Sequence, residues 1–417
     1  PAPEAAVRCP DERQTKNAAP AAMASTAPAA ASVRVCATPR AYAVRCRRAR
    51  GPGPAKQAGY DDGAGCRWSR AGFVFVLDPG LASEAGPLRQ RRWVRTACYD
   101  PPVQVELRDL ARADLDAATR LLAAACTFDE AAGVAEEKLF GAAATVPAAL
   151  VASVGAFAGA LLVGVAVASG NRLRLLAVHP EARRRGVGTV LLAQAEASIA
   201  AWCSGHTPGT AAVGRTMDQA GNYLAPGIDQ RNRDTLTWLA RRGWQPVAEN
   251  TNLLIDVRTN PRLTAARAAE LAARCDGAGY TVRRATAGDG PAFTEAVGRE
   301  FGPGWAFEIA RALAGTPPGV HVALRDDGSL AAFSAHDGNN RGLGWFGPAG
   351  TWASDRKRGL GEALLLACLL DVAAAGHDVC QVAWIGPRGF YEAAVGVAGE
   401  RRFTVMSKAL DAEAEIR

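Results

Sequence analysis

From residue 103 onward, apolar and polar positions follow a readable order. "VQVELRDLARADLDAATRLLAAA" starts as a short alternating strand. It continues as a helix with apolar positions at three and four, and Asp109 or Asp114 stands ready to cap it. Between Gly141 and Asn171 no charge occurs. The run "AALVASVGAFAGALLVGVAVAS" exceeds the ~20 residues that a bilayer-crossing helix needs. It is rich in Gly and Ala and breaks at "GAFAG", which predicts two buried strands joined by a glycine turn. "RLRLLAVHP" reads as a further strand closed by Pro180. "EARRRGVGTVLLAQAE" follows, with three arginines, two glycines and a helix. "QRNRDTLTWLARRGWQPVAENTNLLIDV" predicts a helix stopped at Gly243 and a closing strand.

A helical connector, "TNPRLTAARAAELAARCDGAG", comes next, and then the order restarts. "YTVRRATAGDGPAFTEAVGREF" predicts strand then helix. "HVALRDDGSLAAFSAHD" predicts a hairpin around Asp327-Gly328. "GLGWFGPAGTW" is a strand, "SDRKRGLGEALLLACL" repeats the arginine–glycine–helix order, and a strand, a short helix and a last strand close the chain. The offset from Arg183 to Arg356 is about 170 residues, about one domain length. The expectation is a tandem duplication of one mixed α/β fold, with domains at 103–257 and 280–417 and a connector over 258–279.

Composition changes the picture only at the front. The net charge is +7, yet residues 1–100 carry 16 Lys and Arg against 8 Asp and Glu, so the rest is near neutral. Residues 1–102 are rich in Ala, Pro, Arg and Gly and read as a disordered or weakly structured tail. "MASTAPAAASVRV", from Met23, has transit-peptide composition; an upstream translation absent from the working protein is the other reading. The basic excess stays in the tail, so no nucleic-acid partner is expected for the body. No membrane partner is expected either. No C-x-x-C pair occurs among the ten cysteines, so no metal site is expected. Cys126, Cys203, Cys275, Cys368 and Cys380 read as small buried hydrophobes of a reducing, cytoplasmic compartment.

The two loops carry the chemistry. A helix N-terminus offers unpaired N–H groups and partial positive charge. Glycines before it allow a sharp turn and a close ligand, and arginines add charge-assisted bonds to phosphate oxygens. Gly186 and Gly188, and Gly359 and Gly361, therefore read as pyrophosphate cradles. Neither a nucleoside-triphosphate loop nor a dinucleotide fingerprint is present.

"LLAVHPEARRRGVGTVLLAQAE" and "GPAGTWASDRKRGLGEALLLA" resemble motif A of the GNAT-superfamily N-acetyltransferases. "RGFYEAAVGV" resembles a later motif of that family. The layout is similar to two-domain glucosamine or glucosaminide acetyltransferases and to mycothiol synthase. The resemblance implies two domains, each a twisted, mostly antiparallel sheet with flanking helices. It implies acetyl-CoA as acetyl donor, gripped by Val178, Arg183, Arg184, Arg185, Gly186, Val187, Gly188 and Thr189. In the second copy it implies Thr351, Arg356, Lys357, Arg358, Gly359, Leu360, Gly361 and Glu362.

It further implies that Tyr391 protonates the departing thiolate. In the first half Trp238 and Leu239 stand where Phe390 and Tyr391 stand in the second, with Tyr223 as one substitute acid. A backbone N–H within 177–179 or 350–352 is implied to polarise the thioester. Asp337, Glu300 and Glu308 are candidate bases. The polar stretches holding Asn222 and Tyr223, and His336, Asp337, Asn339 and Asn340, are expected to meet the acceptor, a small-molecule amine such as an amino sugar. The second half is expected to be catalytic, in a pseudo-dimeric monomer or a homodimer. A non-catalytic CoA-binding sensor or scaffold is the alternative.

Overall fold

The computed structural model describes residues 104–410. The expected tail, its cysteines and its leader-like stretch lie outside the described residues. The first half runs β1 (Glu106–Asp109), α1 (Leu115–Ala125), α2 (Ala135–Phe140), β2 (Val151–Ala158), β3 (Leu161–Ser169), β4 (Arg172–Val178), α3 (Val187–His206), β5 (Ala212–Thr216), β6 (Ile228–Asp229), α4 (Arg233–Ala240) and β7 (Gln245–Asp256). After α5 (Ala265–Asp276), the second half runs β8 (Tyr280–Arg284), α6 (Gly290–Phe301), α7 (Pro303–Leu313), β9 (Val320–Arg325), β10 (Leu330–His336), β11 (Trp345–Thr351), α8 (Leu360–Ala374), β12 (Val379–Val382), α9 (Arg388–Ala394) and β13 (Gly399–Leu410). The uncharged run is β2 and β3, turning at Gly159 with φ +61°.

All strands join one sheet, in the order β1-β2-β3-β4-β5-β13-β7-β12-β11-β10-β9-β8, with β6 beside β13. The two halves exchange their last strands. β7 pairs antiparallel with β12, from Leu253 opposite Val382 to Asp256 opposite Val379. β13 pairs antiparallel with β5, from Ser407 opposite Arg215 to Leu410 opposite Ala212. β7 and β13 pair with each other at the centre.

Side-chain pattern explains the exchange. Leu253, Ile255 and Val257 pack into the second half's core with Leu364, Leu365 and Leu369 of α8. Met406 and Leu410 pack into the first half's core with Leu191 and Ile199 of α3. Burying a Leu or Ile side chain stabilises by about 1.5–3 kcal/mol, so each half depends on the other's last strand. The connector helix α5 also belongs to a core, because Leu271 and Cys275 lie beneath α8. On the opposite sheet faces, α1 and α2 cover the first half and α6 and α7 the second.

Candidate active site

The two arginine–glycine loops have the same backbone. Arg184 and Gly186 have φ of +60° and +90°, and Lys357 and Gly359 have +65° and +82°. Gly186 caps α3 and Gly359 caps α8, both left-handed. Left-handed residues just ahead of a helix turn successive amides into an anion-binding concavity. Val187 and Leu360, each 1% exposed, fix the helix starts in the cores. Arg183 Nε donates to the Val178 carbonyl at 3.1 Å, and Arg356 Nε to the Thr351 carbonyl at 3.4 Å. Arg184, Lys357 and Arg358 are exposed and Arg185 is half-buried. The Thr189 hydroxyl accepts from Arg242 at 2.9 Å, and Glu362 pairs with Arg267 of α5.

Beside each loop a parallel strand pair forks. β4 pairs with β5 only at Arg172–Arg215 and Leu173–Thr216, and then runs on to Val178 paired with β3 alone. β11 pairs with β12 only at Trp345–Gln381 and Phe346–Val382, and then runs on to Thr351 paired with β10 alone. The last rungs correspond: Met217 N–H donates to the Leu173 carbonyl (3.0 Å) and Ala383 N–H to the Phe346 carbonyl (3.3 Å). The amides of His179 and Trp352, within the stretches expected to polarise a thioester, donate to Val163 and Ala331 of the neighbouring strands.

The forks differ in what fills them. In the first, Arg174 is fully buried. It donates to Gln219 Oε1 (2.8 Å), Ser169 Oγ (2.7 Å) and the Gly141 carbonyl (2.7 Å). Arg172 Nε bonds Asp218 Oδ1 at 2.8 Å. Burial pulls the Arg174 guanidinium down to about 9, still charged at neutrality. These bonds stitch β4 to the residues following β5. At the same offset in the second half stands Gly347, where a Cβ would meet nothing within 4 Å.

The helices behind the loops also correspond. The Trp238 ring lies 3.5 Å from where a Cβ on Gly188 would be, and the Phe390 ring 3.6 Å from the same point on Gly361. Leu239 therefore occupies the place of Tyr391. The Tyr391 ring sits 6.3 Å from Phe346, the last paired residue of β11. Burial pushes its hydroxyl up to about 12, so it holds its proton at neutral pH.

The polar stretches from the two halves meet. Lys138, fully buried on α2, donates to Asn222 Oδ1 (2.9 Å), Asn339 Oδ1 (2.8 Å) and Glu137 (2.6 Å). Asn339 Nδ2 donates to the Tyr223 carbonyl at 2.8 Å, and Asn340 Nδ2 to the Leu224 carbonyl at 3.1 Å. Asn222, Asn339 and Asn340 thus lock two loops together. Tyr223, considered as an acid for the first half, instead packs against the second, 6.2 Å from Trp345 and 5.5 Å from Trp384. His336 and Asp337 turn another way. The His336 ring lies between Asp337 (2.9 Å) and Asp371 (3.3 Å), and these carboxylates raise its pKa to about 9 despite burial.

Sequence reasoning missed α2 and α7, which carry Lys138 and Glu308 into this junction. Glu308 is buried; desolvation raises it to about 7, opposed by the Gly221 amide and Lys138. Glu300 is exposed. Among the described residues no group of three or more His, Cys, Asp or Glu is placed to hold a metal, and no helix is long and apolar enough to cross a membrane.

No protein-family model and no curated protein sequence matches the chain. Solved structures do. A GCN5-related glucosamine N-acetyltransferase region of a fungal multi-domain GH3 β-N-acetylglucosaminidase matches at TM-score 0.56 and 16% identity; the match covers 73% of this chain and 38% of that one. A tandem GNAT protein from the clavulanic acid biosynthesis pathway matches at 0.52 and 18%, over 74% and 99% of the two chains. A GCN5-related N-acetyltransferase from Sphaerobacter thermophilus matches at 0.50 and 19%, over 75% and 97%. The fold is therefore that of two GCN5-related N-acetyltransferase units in tandem.

Proposed function

We propose that the protein is an acetyl-CoA-dependent N-acetyltransferase acting on a primary amine of a small molecule, an amino sugar in the favoured case, and that its second half is catalytic. The observation that carries this reading is the open fork at Gly347 with Tyr391 beside it. Arg356, Lys357 and Arg358, with the amides after Gly359, bind the donor's phosphates. The end of β11, which β12 leaves uncovered on one edge, positions the thioester. A thioester accepts an amine readily, so the chain's task is placement and proton handling.

Glu308, with a pKa near 7, is the best placed of the candidate bases, because it shares the junction with Tyr223. It takes the amine proton directly or through water. Tyr391 gives its proton to the departing sulfur. Tyr223 faces the acceptor, while Asn222, Asn339 and Asn340 hold the loops that carry it. His336 and Asp337 act through those loops.

The first half has a separate reading. It keeps the loop of Arg183–Gly188, but its fork is stitched by Arg174 and Leu239 replaces the acid. We propose that it binds CoA phosphates without transferring acetyl groups, as a sensor or scaffold. The test is release of CoA thiol from acetyl-CoA by residues 103–417 with glucosamine, an aminoglycoside, a polyamine and a lysine peptide. Turnover on one amine that collapses in Tyr391→Phe supports the reading. Binding of CoA with no release on any amine moves the whole chain to the sensor reading.

A further inference from the structure

Among the described residues, three buried side-chain polar atoms have no hydrogen-bond partner: Asn252 Nδ2, Gln381 Nε2 and Asn340 Oδ1. The first two share one face of the sheet. Gln381 stands opposite Trp345 on β11, and Asn252 stands opposite Arg401 on β13. Arg401 reaches across to Gln381, which confirms the common face. This is the face away from the α8 core, where Tyr223 and Trp384 also lie.

The orientation of both amides is determined. Asn252 Oδ1 accepts from the Trp384 N–H at 2.8 Å, and Gln381 Oε1 accepts from Arg401 at 3.2 Å. A flip would set donor against donor in each case. The orphans are therefore NH₂ donors. A buried donor without a partner costs about 1–3 kcal/mol. Two of them beside the opening of the catalytic fork point to a ligand with oxygen acceptors.

The surroundings narrow its class. Arg401 already bonds Asp129 (2.7 Å) and Asp229 (3.0 Å), so it is not a spare cation for an anionic ligand. The two orphan donors are neutral. Trp384 is 39% exposed, has a left-handed backbone with φ +49°, and packs edge-on to Tyr223. Left-handed backbone in a bulky residue is a strain that concentrates at ligand sites. Neutral donors beside aromatic faces suit hydroxyls on a ring or chain whose C–H face is apolar.

We infer that Asn252 and Gln381 are the specificity-determining donors for the acceptor's hydroxyl groups, so that the acceptor is a polyhydroxylated amine entering past the Trp384 indole. The inference rests on the acetyltransferase reading only for the amine. The hydroxyl subsite stands on the orphaned donors.

Asn252→Asp and Gln381→Glu each keep the oxygen that accepts a visible bond and replace the orphan NH₂ donor with a carboxylate oxygen; Asn252→Leu and Gln381→Leu, which remove the donor without adding a charge, run beside them. Two readouts separate the claims. Binding of glucosamine and of glucose, which lacks the amine, is followed by saturation-transfer NMR on the full chain. Acetyl transfer is compared between glucosamine and cyclohexylamine, a ring amine without hydroxyls. The expected result is about tenfold weaker sugar binding in each variant, with the glucosamine-over-cyclohexylamine preference in kcat/KM falling by about the same factor. Sugar binding lost in the variants, with no transfer to any amine in the parent, would sink the acetyltransferase reading and leave the hydroxyl subsite standing. Equal sugar binding by the parent and the folded variants, or none by the parent, would overturn the inference and assign the two donors to bound water.

Discussion

The two forks of this molecule start from the same backbone and end in opposite states. Each follows two paired rungs of a parallel ladder, and each lies beside a loop with left-handed residues two apart. In the first, a fully buried arginine ties β4 to Gln219 across the gap. In the second, a glycine leaves that place open. The difference teaches that the loop and the fork are separable. A phosphate grip needs only backbone turns and exposed cations, whereas acetyl transfer also needs a path for the thioester and an acid at its end. On the reading proposed above, the first half keeps the grip, and the second keeps both.

The sharpest way to break the comparison is at the acid. Tyr391→Phe is expected to lower kcat by about 10²-fold or more, whereas Leu239→Phe in the first half leaves kcat unchanged; steady-state CoA release reads both. Next comes the base. With Glu308 at about 7, the rate rises with pH through that value as the carboxylate forms, and Glu308→Gln removes this limb and about 10²-fold of the rate. A pH–rate profile without such a limb in the parent would remove Glu308 from the mechanism.

The stitch is tested by stability. Arg174→Met strands Gln219 Oε1 and the Gly141 carbonyl and takes one of two bonds from Ser169 Oγ, with an expected loss of about 3 kcal/mol in denaturant unfolding. A stitch that serves structure leaves the turnover of folded protein unaltered. The loops give a smaller contrast. At neither Gly186 nor Gly359 would a Cβ meet an atom within 4 Å, so alanine there costs only the left-handed penalty of about 1–2 kcal/mol. Gly359→Ala is expected to raise the KM for acetyl-CoA about tenfold, and Gly186→Ala to leave it unchanged while weakening a second CoA site seen by calorimetry.

The smallest effect is at His336. Its folded pKa of about 9 lies above its ordinary 6.5. Its stabilisation is therefore fully present below pH 6.5 and is lost as pH rises through about 9. The difference in Tm between the parent and His336→Asn should shrink over that window.

Much of this was legible because it is local. The arginine–glycine loops, the glycine turn between β2 and β3 and the hairpin at Asp327-Gly328 each depend on residues a few positions apart. The correspondence of Trp238 and Leu239 with Phe390 and Tyr391 was also readable by order. What was not legible is nonlocal. Asn252 sits in the middle of a long strand, and nothing in "ENTNLLID" marks it as different from Asn250, whose amide bonds the Pro226 carbonyl. Tyr223 follows its own half in sequence but serves the other in space.

The sequence by itself determined the repeated mixed α/β order and the two arginine–glycine loops at helix starts, and it marked the tyrosine of the second short helix that the first lacks, because backbone turns and helix entries are written in neighbouring residues. Only the tertiary structure decided that β7 and β13 change places, that Arg174 closes one fork, and that two amide NH₂ groups are left without partners at the other. Strand partners are chosen by which core buries their apolar side chains, and hydrogen-bond satisfaction depends on every group that folding brings near.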